Sequence, residues 1–555
     1  MRLLVTSALP YANGDIHLGH LAGAYLPADI YTRYHRLKGD DIIHICGSDE
    51  HGVPVTITAE QVGISPEVFT TKYYKRMAES FKKFGIIFDN FSRTSYPLHH
   101  KTAQDFFTRI YEAGDIKPKT VEQFYCTKCK RFLADRYVEG ICPYCRSPNA
   151  RGDQCEACGK WLEPTILIEP KCKICGGNPM IKRTKHWFFN LSSYQKKLEG
   201  WIGGKKHWKS NVIMFCSGLF REGLKERPIT RDLNWGVSVP IAEAKGKVIY
   251  VWFEALIGYI SSTKEWAEKK GDANLWRDYW QNEETKLVQF LAKDNIVFHA
   301  IVWPAMLLAH KDYILPSEIP ANEFLNIEGE KLSTSRNWAV WLPEYLNDFE
   351  PDPLRYTLAV NNPETKDSDF TWKDFQVRNN NELADILGNF INRTLTFVIK
   401  YFDSRIPPSY KLDEEDKKFF KKIEVLPKTV GELIDRFEFK KGLKEIMSLA
   451  GEGNRYFDYK RPWETRKNDV EVSETTIALC CSLIATLGTV LEPYLPFSAK
   501  KIRESLGIEK SVWENSADNK LTGKNVRNPG ILFKKIEDEE IEKQVTKLKE
   551  MRADD

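Results

Sequence analysis

Residues 9–20 read Leu-Pro-Tyr-Ala-Asn-Gly-Asp-Ile-His-Leu-Gly-His, a loop that leads into two histidines at a predicted helix start. A short apolar run at 3–6 precedes the loop, an amphipathic helix is expected over 18–37, and a second apolar run covers 42–46. This order is typical of a βαβ unit, in which the helix N-terminus offers unpaired N–H groups and a positive dipole end to an anion. The stretch therefore predicts a site for nucleotide phosphates.

The two histidines, His17 and His20, share one face of that helix, so both imidazoles can hydrogen-bond the same triphosphate. Gly19 lies between them and leaves room for a flat base or a ribose against the backbone. Taken alone, such a pair also fits half of a metal site or a packing coincidence. A second motif lies about three hundred residues later, where residues 331–335 read Lys-Leu-Ser-Thr-Ser.

Together the two motifs resemble the signature of the class I aminoacyl-tRNA synthetases, in the form that their methionine-specific members carry. The resemblance implies that ATP and methionine form methionyl-adenylate and pyrophosphate, and that the acyl group then passes to the 3′ end of tRNA(Met). The first step is an in-line displacement by a carboxylate that is already ionised. It needs no general base, so positioning and charge stabilisation do the work.

The resemblance also implies roles for the residues of both motifs. The catalytic residues would be His17, His20, Lys331 and Arg231, with Lys331 offsetting charge on the departing pyrophosphate. ATP, accompanied by Mg²⁺ as part of the substrate, would be bound by Gly19, Asp294, Ser333, Thr334 and Ser335. Thr334 stands where many relatives have a second lysine, which leaves a catalytically silent tRNA-binding relative as an alternative.

The amino-acid substrate is inferred from pocket chemistry. Methionine is long, unbranched and polarizable, so it suits an apolar and aromatic pocket with a polar contact for its sulfur. By resemblance, Asp49 holds the α-ammonium group. The other positions that match the methionine-lining residues of the family are Leu9, Tyr11, Trp252, Ala255, Tyr259 and His299. A ligase for another apolar amino acid is the alternative. Trp252 and Tyr259 could also be ordinary core residues.

A second recognition site is expected in the C-terminal region. Asn389 and Arg393 lie four residues apart and hence on one helix face. By resemblance these two residues and Trp463 read the CAU anticodon of the tRNA, since RNA readers commonly stack splayed bases on aromatic rings. Plain packing of Trp463 is the alternative.

Most of the 12 cysteines lie in four Cys-x-x-Cys pairs within one stretch of the chain. These are Cys126 and Cys129, Cys142 and Cys145, Cys155 and Cys158, and Cys172 and Cys175. A two-residue spacing lets one turn present two thiolates to a tetrahedral metal, so we predict two structural zinc ions, with disulfides as the alternative. Spacing leaves three groupings open. The resemblance favours a nested one, in which the inner four cysteines form one site and the outer four the other.

Composition limits the classes of partner. Lys and Arg number 81 against 77 Asp and Glu, a formal charge of +4, so any RNA contact must come from local patches. No apolar run approaches the roughly 20 residues of a membrane span, and the N-terminal apolar stretch is too short for a signal peptide. We therefore expect a cytoplasmic protein without membrane contact. The family's C-terminal dimerisation module is not recognised, which favours a monomer.

The order of elements predicts an α/β fold. It consists of a doubly wound parallel, Rossmann-type nucleotide-binding domain that a zinc-knuckle insertion interrupts, a small linking domain and a C-terminal α-helical bundle. Runs at 247–253 and 287–291 are predicted as buried strands of the resumed sheet. The expected division is 1–115 for the first half of the Rossmann-type domain, 116–230 for the connective insertion, 231–319 for the second half, 320–373 for the linking domain with the lysine-serine loop, and 374–555 for the anticodon-binding bundle and tail.

Overall fold

A five-stranded parallel sheet is the centre of the first part of the chain. In spatial order its strands are Ala321–Asn322, Lys286–Ala292, Arg2–Ser7, Asp41–Ser48 and Asn90–Arg93. The three long strands are buried along almost their whole length, as expected of a parallel sheet with both faces covered. The strand order reverses between Arg2–Ser7 and Lys286–Ala292. A ligand crevice is therefore expected outside the carboxyl ends of these two strands.

The computed structural model describes residues 1–133, 137–148, 150–151, 155, 157–158, 162, 164–333, 337–509, 511–514 and 521–553. Within it, helices cover both faces of the sheet. Leu3 and Val5 pack in one core with the helix Leu26–Lys38, whereas Leu4 packs in another with Pro97–Glu112 and Val251–Lys269. This alternation follows from the two-residue period of a strand.

The helix predicted from the opening motif is confirmed, with a local widening. It runs as Leu18–His20, a π-helical segment Leu21–Tyr25 and Leu26–Lys38, and it ends at Gly39 in the left-handed region. Such π-bulges occur frequently at functional sites. The widened segment follows the two histidines directly.

The strand predicted at 247–253 is wrong. Only Val248–Ile249 is extended, and it pairs with Thr230–Arg231 in a separate antiparallel ribbon. A largely buried helix begins at Val251 and continues to Lys269. Over so short an apolar run a buried strand and a buried helix look alike, and only the continuation of the apolar pattern distinguishes them. The other predicted run is confirmed as the strand Lys286–Ala292.

The insertion is built on a long antiparallel ribbon of Ile116–Cys126 and Met180–Phe189. Short strands flank this ribbon at Arg131–Phe132 and Arg227–Pro228, and a second small sheet consists of Ala150–Arg151, Val138–Ile141 and Ile168–Cys172. Two helices, Gln195–Gly203 and Ser210–Glu222, complete the insertion.

The remaining helices fall into two groups. Those around the sheet and the linking segment are Val53–Gln61, Pro66–Phe84, Trp276–Trp280, Val297–Val302, Trp303–His310, Leu342–Asp348 and Pro351–Val360. Those of the C-terminal region are Trp372–Val377, Arg378–Gly388, Asn389–Tyr401, Glu414–Asp435, Phe439–Lys460, Pro462–Asn468, Val470–Val490, Pro496–Ser505 and Asp538–Ala553. The linking segment also contains a three-stranded sheet of Glu330–Lys331, Leu325–Ile327 and Ser368–Phe370. The C-terminal region is thus the helical bundle that the sequence predicted.

One described helix, Val470–Val490, is long and apolar enough to cross a membrane by length and composition alone. The expectation that no apolar run approaches the length of a membrane span was therefore wrong for this segment. Its most apolar window is 67% buried, and the helix packs against Phe439–Lys460 and its neighbours in the bundle. A core helix of a bundle passes the same test, because its apolar residues surround it on all sides.

Candidate active site

A cavity of about 940 Å³ opens at the carboxyl end of the sheet, where the strand order reverses. Ala8 and Ala292, at the ends of the two strands that flank this point, are both in its wall. Eight of the predicted site residues line the cavity: Leu9, Tyr11, Gly19, His20, Asp49, Arg231, Trp252 and Asp294. The fold therefore brings together candidates from both halves of the interrupted sheet.

The two histidines form the start of the first helix. Their rings stack at 3.5 Å between centres, and each Nδ1 accepts a hydrogen bond from the other residue's backbone N–H at 3.3 Å. Loss of water lowers the pKa of His20 to about 4 and that of His17 well below its usual value. Both imidazoles are therefore neutral near pH 7. Since Nδ1 accepts, the proton of each ring lies on Nε2, which can donate to a phosphate oxygen.

The segment with the lysine motif is tied to this helix start through the backbone. Leu18 donates its N–H to the carbonyl of Val340 at 3.2 Å, and Leu342 donates to the carbonyl of Ile16 at 2.7 Å. Leu332 packs over Gly19, where an added Cβ would come within 3.2 Å of the Leu332 side chain and of the His17 ring. A side chain at position 19 would therefore push on both motifs.

Lys331 itself is exposed on the neighbouring hairpin and is not in the cavity wall. Its Nζ lies 5.7 Å from the ring centre of Phe324, and its charge acts on Asp294. Ser333 and Trp338 exchange two backbone hydrogen bonds. Thr334 and Ser335 lie outside the described residues.

Asp49 supplies a buried carboxylate at the cavity wall. Its backbone is hydrogen-bonded to the opening motif. The N–H of Asp49 donates to the carbonyl of Pro10, and the N–H of Ala12 donates to the carbonyl of Asp49, both at 2.8 Å. Burial raises the pKa of the Asp49 carboxyl well above its usual value, and the negative charge of Glu254 raises it further. A carboxylate in such surroundings gains from a cationic partner.

The apolar wall is aromatic. The ring of Trp252 meets that of Tyr11 edge to face at 5.6 Å and stacks on Phe298 at 4.2 Å. Leu9, Tyr11 and Trp252 line the same cavity as Asp49. The chemistry of this wall suits a long apolar side chain that carries an ammonium group at one end.

Three predicted pocket residues, Ala255, Tyr259 and His299, are buried but are not in the cavity wall. Nδ1 of His299 donates to the carbonyl of Asn295 at 3.0 Å, so its Nε2 accepts the Tyr259 hydroxyl at 2.7 Å. Burial lowers the pKa of His299 to about 4 and raises that of Tyr259. The pair is therefore neutral and satisfied within the protein.

Arg231 lines the cavity from the short ribbon near the end of the insertion. Its guanidinium lies 3.8 Å from the ring centre of Tyr250 and donates to the carbonyls of Pro228 and Thr230. These contacts hold the cation at the wall.

The eight paired cysteines form two clusters apart from the cavity. Cys126, Cys129, Cys172 and Cys175 make one, and Cys142, Cys145, Cys155 and Cys158 make the other. In each cluster the four sulfur atoms lie within 4.8 Å of one another. The nested grouping is therefore the one that the structure has. The other four cysteines, Cys46, Cys216, Cys480 and Cys481, are buried.

Comparisons with known proteins match this architecture from end to end. Residues 3–395 match the family model described as tRNA synthetases class I (M), and residues 406–553 match the anticodon binding domain of methionyl tRNA ligase. The chain belongs to the class I methionyl-tRNA synthetases. A methionine–tRNA ligase from Bacteroides fragilis is 50% identical over 552 residues, and one from Flavobacterium psychrophilum is 49% identical over 555. Each alignment covers 99% of this chain and 81% of the relative.

A solved methionyl-tRNA synthetase has the same fold. The Mycobacterium tuberculosis enzyme bound by methionyl-adenylate superimposes with a TM-score of 0.79 at 25% sequence identity. The match covers 96% of this chain and all of that one. The resemblance inferred from residues 9–20 and 331–335 is thus confirmed.

In this methionyl-tRNA synthetase, the predicted anticodon residues lie on the helical bundle. The guanidinium of Arg393 lies 4.1 Å from the ring centre of Phe457 and pairs with Asp458 at 2.6 Å. Trp463 is 38% exposed, and its ring stacks on that of Phe457 at 6.0 Å between ring centres. Asn389 is exposed one helical turn before Arg393. The structure thus groups an open indole and a cation around one buried ring.

The sequence analysis missed His51 and Glu254, which lie at and behind the cavity wall. One signal was available. Glu254 is the only charged residue in the apolar run from Val251 to Ile260, and a buried carboxylate requires a partner. Its partner could not be identified, because the two residues are far apart in the chain.

Proposed function

We propose that this methionyl-tRNA synthetase activates methionine with ATP to methionyl-adenylate and pyrophosphate, and then transfers methionine to the 3′ end of tRNA(Met). One observation carries the proposal: Asp49, Trp252 and His20 line one cavity. A carboxylate for the ammonium group, an aromatic slot for the side chain and a donor for phosphate therefore meet where the carboxylate of an amino acid can reach an α-phosphate.

Residues from both motifs are proposed to bind ATP. Nε2–H of His17 and His20 donates to the phosphates at the helix start, and Gly19 leaves room for the base or ribose. Arg231 and Lys331 offset the charge that develops on the leaving pyrophosphate, with Lys331 delivered by movement of its exposed hairpin. Asp294 binds the ribose, and Ser333, Thr334 and Ser335 donate to the phosphates. ATP enters as its magnesium complex.

The amino-acid side rests on Asp49 for the ammonium group and on Leu9, Tyr11 and Trp252 for the side chain. Ala255 and the neutral Tyr259–His299 pair form the deeper part of the pocket. Because this pair is neutral and satisfied, it places no ionised group near the thioether.

The two cysteine clusters are proposed as structural zinc sites. Tetrahedral Zn–S bonds of about 2.3 Å require sulfur atoms about 3.8 Å apart. The separations of Cys126 from Cys175, Cys129 from Cys172 and Cys142 from Cys158 are 3.4, 3.9 and 3.9 Å. Four thiolates leave no position for water, so the metal would fold the insertion and take no part in the reaction.

The tRNA side rests on Asn389, Arg393 and Trp463, which we propose as readers of the anticodon. We also propose a cytoplasmic monomer without membrane contact, since thiolate metal sites persist in a reducing compartment and one chain completes the cavity. We also propose that the chain divides into five parts, the first four of which end at residues 115, 230, 319 and 373.

Amino-acid-dependent exchange between pyrophosphate and ATP tests the proposal. Methionine should support exchange far better than leucine or isoleucine. Better exchange with leucine would indicate a ligase for another apolar amino acid. No exchange in zinc-replete protein that still binds tRNA would indicate a catalytically silent relative.

A further inference from the structure

A buried carboxylate lies directly behind the cavity and holds two histidines at once. Oε1 of Glu254 accepts a hydrogen bond from Nδ1 of His51 at 2.8 Å, and Oε2 accepts one from Nε2 of His99 at 2.6 Å. No member of this trio is more than 1% exposed. An ionised carboxylate only accepts, so both imidazoles donate to it. The trio joins three separate elements of the first domain.

His51 connects the trio to the proposed ammonium site. It follows Asp49 by two residues, its ring is in the cavity wall, and its backbone N–H approaches Oδ1 of Asp49 at 3.4 Å. Glu254 lies on the helix that also carries Trp252, which lines the methionine slot. One carboxylate therefore ties the loop of Asp49 to the helix of the side-chain slot.

Within the part of the chain that the structure describes, Glu254 forms no ion pair with a lysine or an arginine. The neighbouring Glu50 is matched by Arg93, whose Nε donates to it at 2.6 Å, and it also accepts from Ser48 and Ser95. Among the described residues, the hydrogen-bond donors to the Glu254 carboxylate are the imidazoles of His51 and His99, and the nearby Asp49 carries a like charge when it is ionised. The ring of His100 lies 5.3 Å from that of His51, and the ring of Trp235 packs on the same side at 5.5 Å.

We propose that Glu254 is a positioning residue for methionine: through His51 it fixes the loop of Asp49, and its negative charge adds to the attraction for the α-ammonium group. This inference rests on the proposed role of Asp49. Asp49 can contact the ligand directly, whereas Glu254 acts on it only through its charge. Because this charge is buried and weakly screened, it favours an ammonium group over a neutral amine. Specificity for the zwitterionic amino acid would follow from this arrangement.

The arrangement has a consequence for pH dependence. Burial raises the pKa of Asp49 and the charge of Glu254 raises it further, whereas the two histidines hold the pKa of Glu254 at about 2 against the effect of its burial. Asp49 must be ionised to pair with ammonium, so methionine affinity is present above the pKa of Asp49 and is lost as the pH falls through it. Removing the charge of Glu254 lowers that pKa.

The test is the pH dependence of methionine binding by calorimetry, in the wild type and in Glu254→Gln. Glutamine retains one acceptor and one donor at nearly the same shape. We expect binding in the variant to be about tenfold weaker at pH 8, and the midpoint of its acid limb to move about one pH unit lower. ATP binding should change less than about twofold, since the phosphate side is untouched.

Glu265→Gln is the matched control. Glu265 lies on the same helix and accepts from Asn90 and Lys269, away from the cavity wall. It should leave both affinity and midpoint unchanged. His51→Asn, which keeps an amide donor near the place of Nδ1, provides a second variant should Glu254→Gln fail to fold. It should weaken methionine binding and leave ATP binding within about twofold, because the loop of Asp49 is then held less firmly to Glu254.

An unchanged midpoint in folded Glu254→Gln, with methionine and ATP affinity reduced alike, would overturn the inference and leave only a packing role. Failure of the proposed function looks different. In that case the wild type itself would not bind methionine, and no pH dependence of methionine binding could be measured for it or for either variant.

Discussion

Replacing Trp463 by leucine should separate RNA recognition from methionine activation. Trp463 is 38% exposed and contacts the buried ring of Phe457, on which the guanidinium of Arg393 also packs at 4.1 Å. Leucine keeps an apolar contact with Phe457 but removes the flat open face. The variant therefore tests stacking of a base while it spares the core of the bundle.

The magnitude follows from the contact that is lost. Stacking of one base on an aromatic side chain contributes about 1–3 kcal/mol, which corresponds to roughly 5-fold to 150-fold in affinity at 25 °C. The dissociation constant for tRNA(Met) should rise by a factor in that range. The kcat of exchange and the KM values for methionine and ATP should stay within about twofold of wild type, because the cavity lies in a separate part of the chain.

Filter binding of tRNA(Met) and pyrophosphate exchange on the same preparations measure the two effects. Tyr410→Leu is a suitable control, since Tyr410 is a similarly exposed aromatic of the bundle at 44% and is not part of the Trp463 cluster. The assignment would be refuted by equal losses in exchange and tRNA binding, or by the same loss of tRNA binding in the control. A thermal melt would show whether either variant has disturbed the bundle.

Three further changes address the metal, the ammonium site and the deep pocket. Cys129→Ser removes one ligand of the outer cluster, so native mass spectrometry should detect loss of one of two zinc ions; retention of both would contradict the role of Cys129 as a ligand. Asp49→Asn removes a charge-assisted hydrogen bond contributing about 1.5–3 kcal/mol, and exchange assays should show a KM for methionine raised about 10-fold to 150-fold with that for ATP unchanged. Tyr259→Phe leaves Nε2 of His299 buried without its partner, which should lower the free energy of unfolding in urea by about 1–3 kcal/mol. An unaltered urea midpoint would mean that the hydroxyl contributes nothing.

The sequence predicted those parts of the fold whose signals are local. The strand, loop and helix around residues 9–20 follow from short apolar runs and a helix start, and the structure has them within one or two residues. The strand predicted at 247–253 failed because residues 251–253 already belong to a helix that continues to Lys269, and only Val248–Ile249 forms a strand. Periodicity over so short a window cannot separate these two states.

The candidate site was predictable only where motifs marked it. Spacing did not determine which Cys-x-x-Cys pairs share a site, because three groupings satisfy the same turns. The outer pairs come together because the strands Ile116–Cys126 and Met180–Phe189 form one antiparallel ribbon. Glu254 and His51 meet through tertiary packing alone, so no pattern along the chain could join them. The exposed position of Lys331, beside the cavity and not in its wall, was equally invisible in the sequence.

The central claim is that the histidine helix start and the distant lysine hairpin act on one nucleotide. Rapid-quench measurement of adenylate formation in Lys331→Ala, with methionine binding measured in parallel, tests it most directly. Loss of a cation that meets developing phosphate charge should slow adenylate formation by about 100-fold to 1,000-fold and leave the dissociation constant for methionine unchanged. An unaltered rate, or a loss confined to methionine binding, would contradict the account.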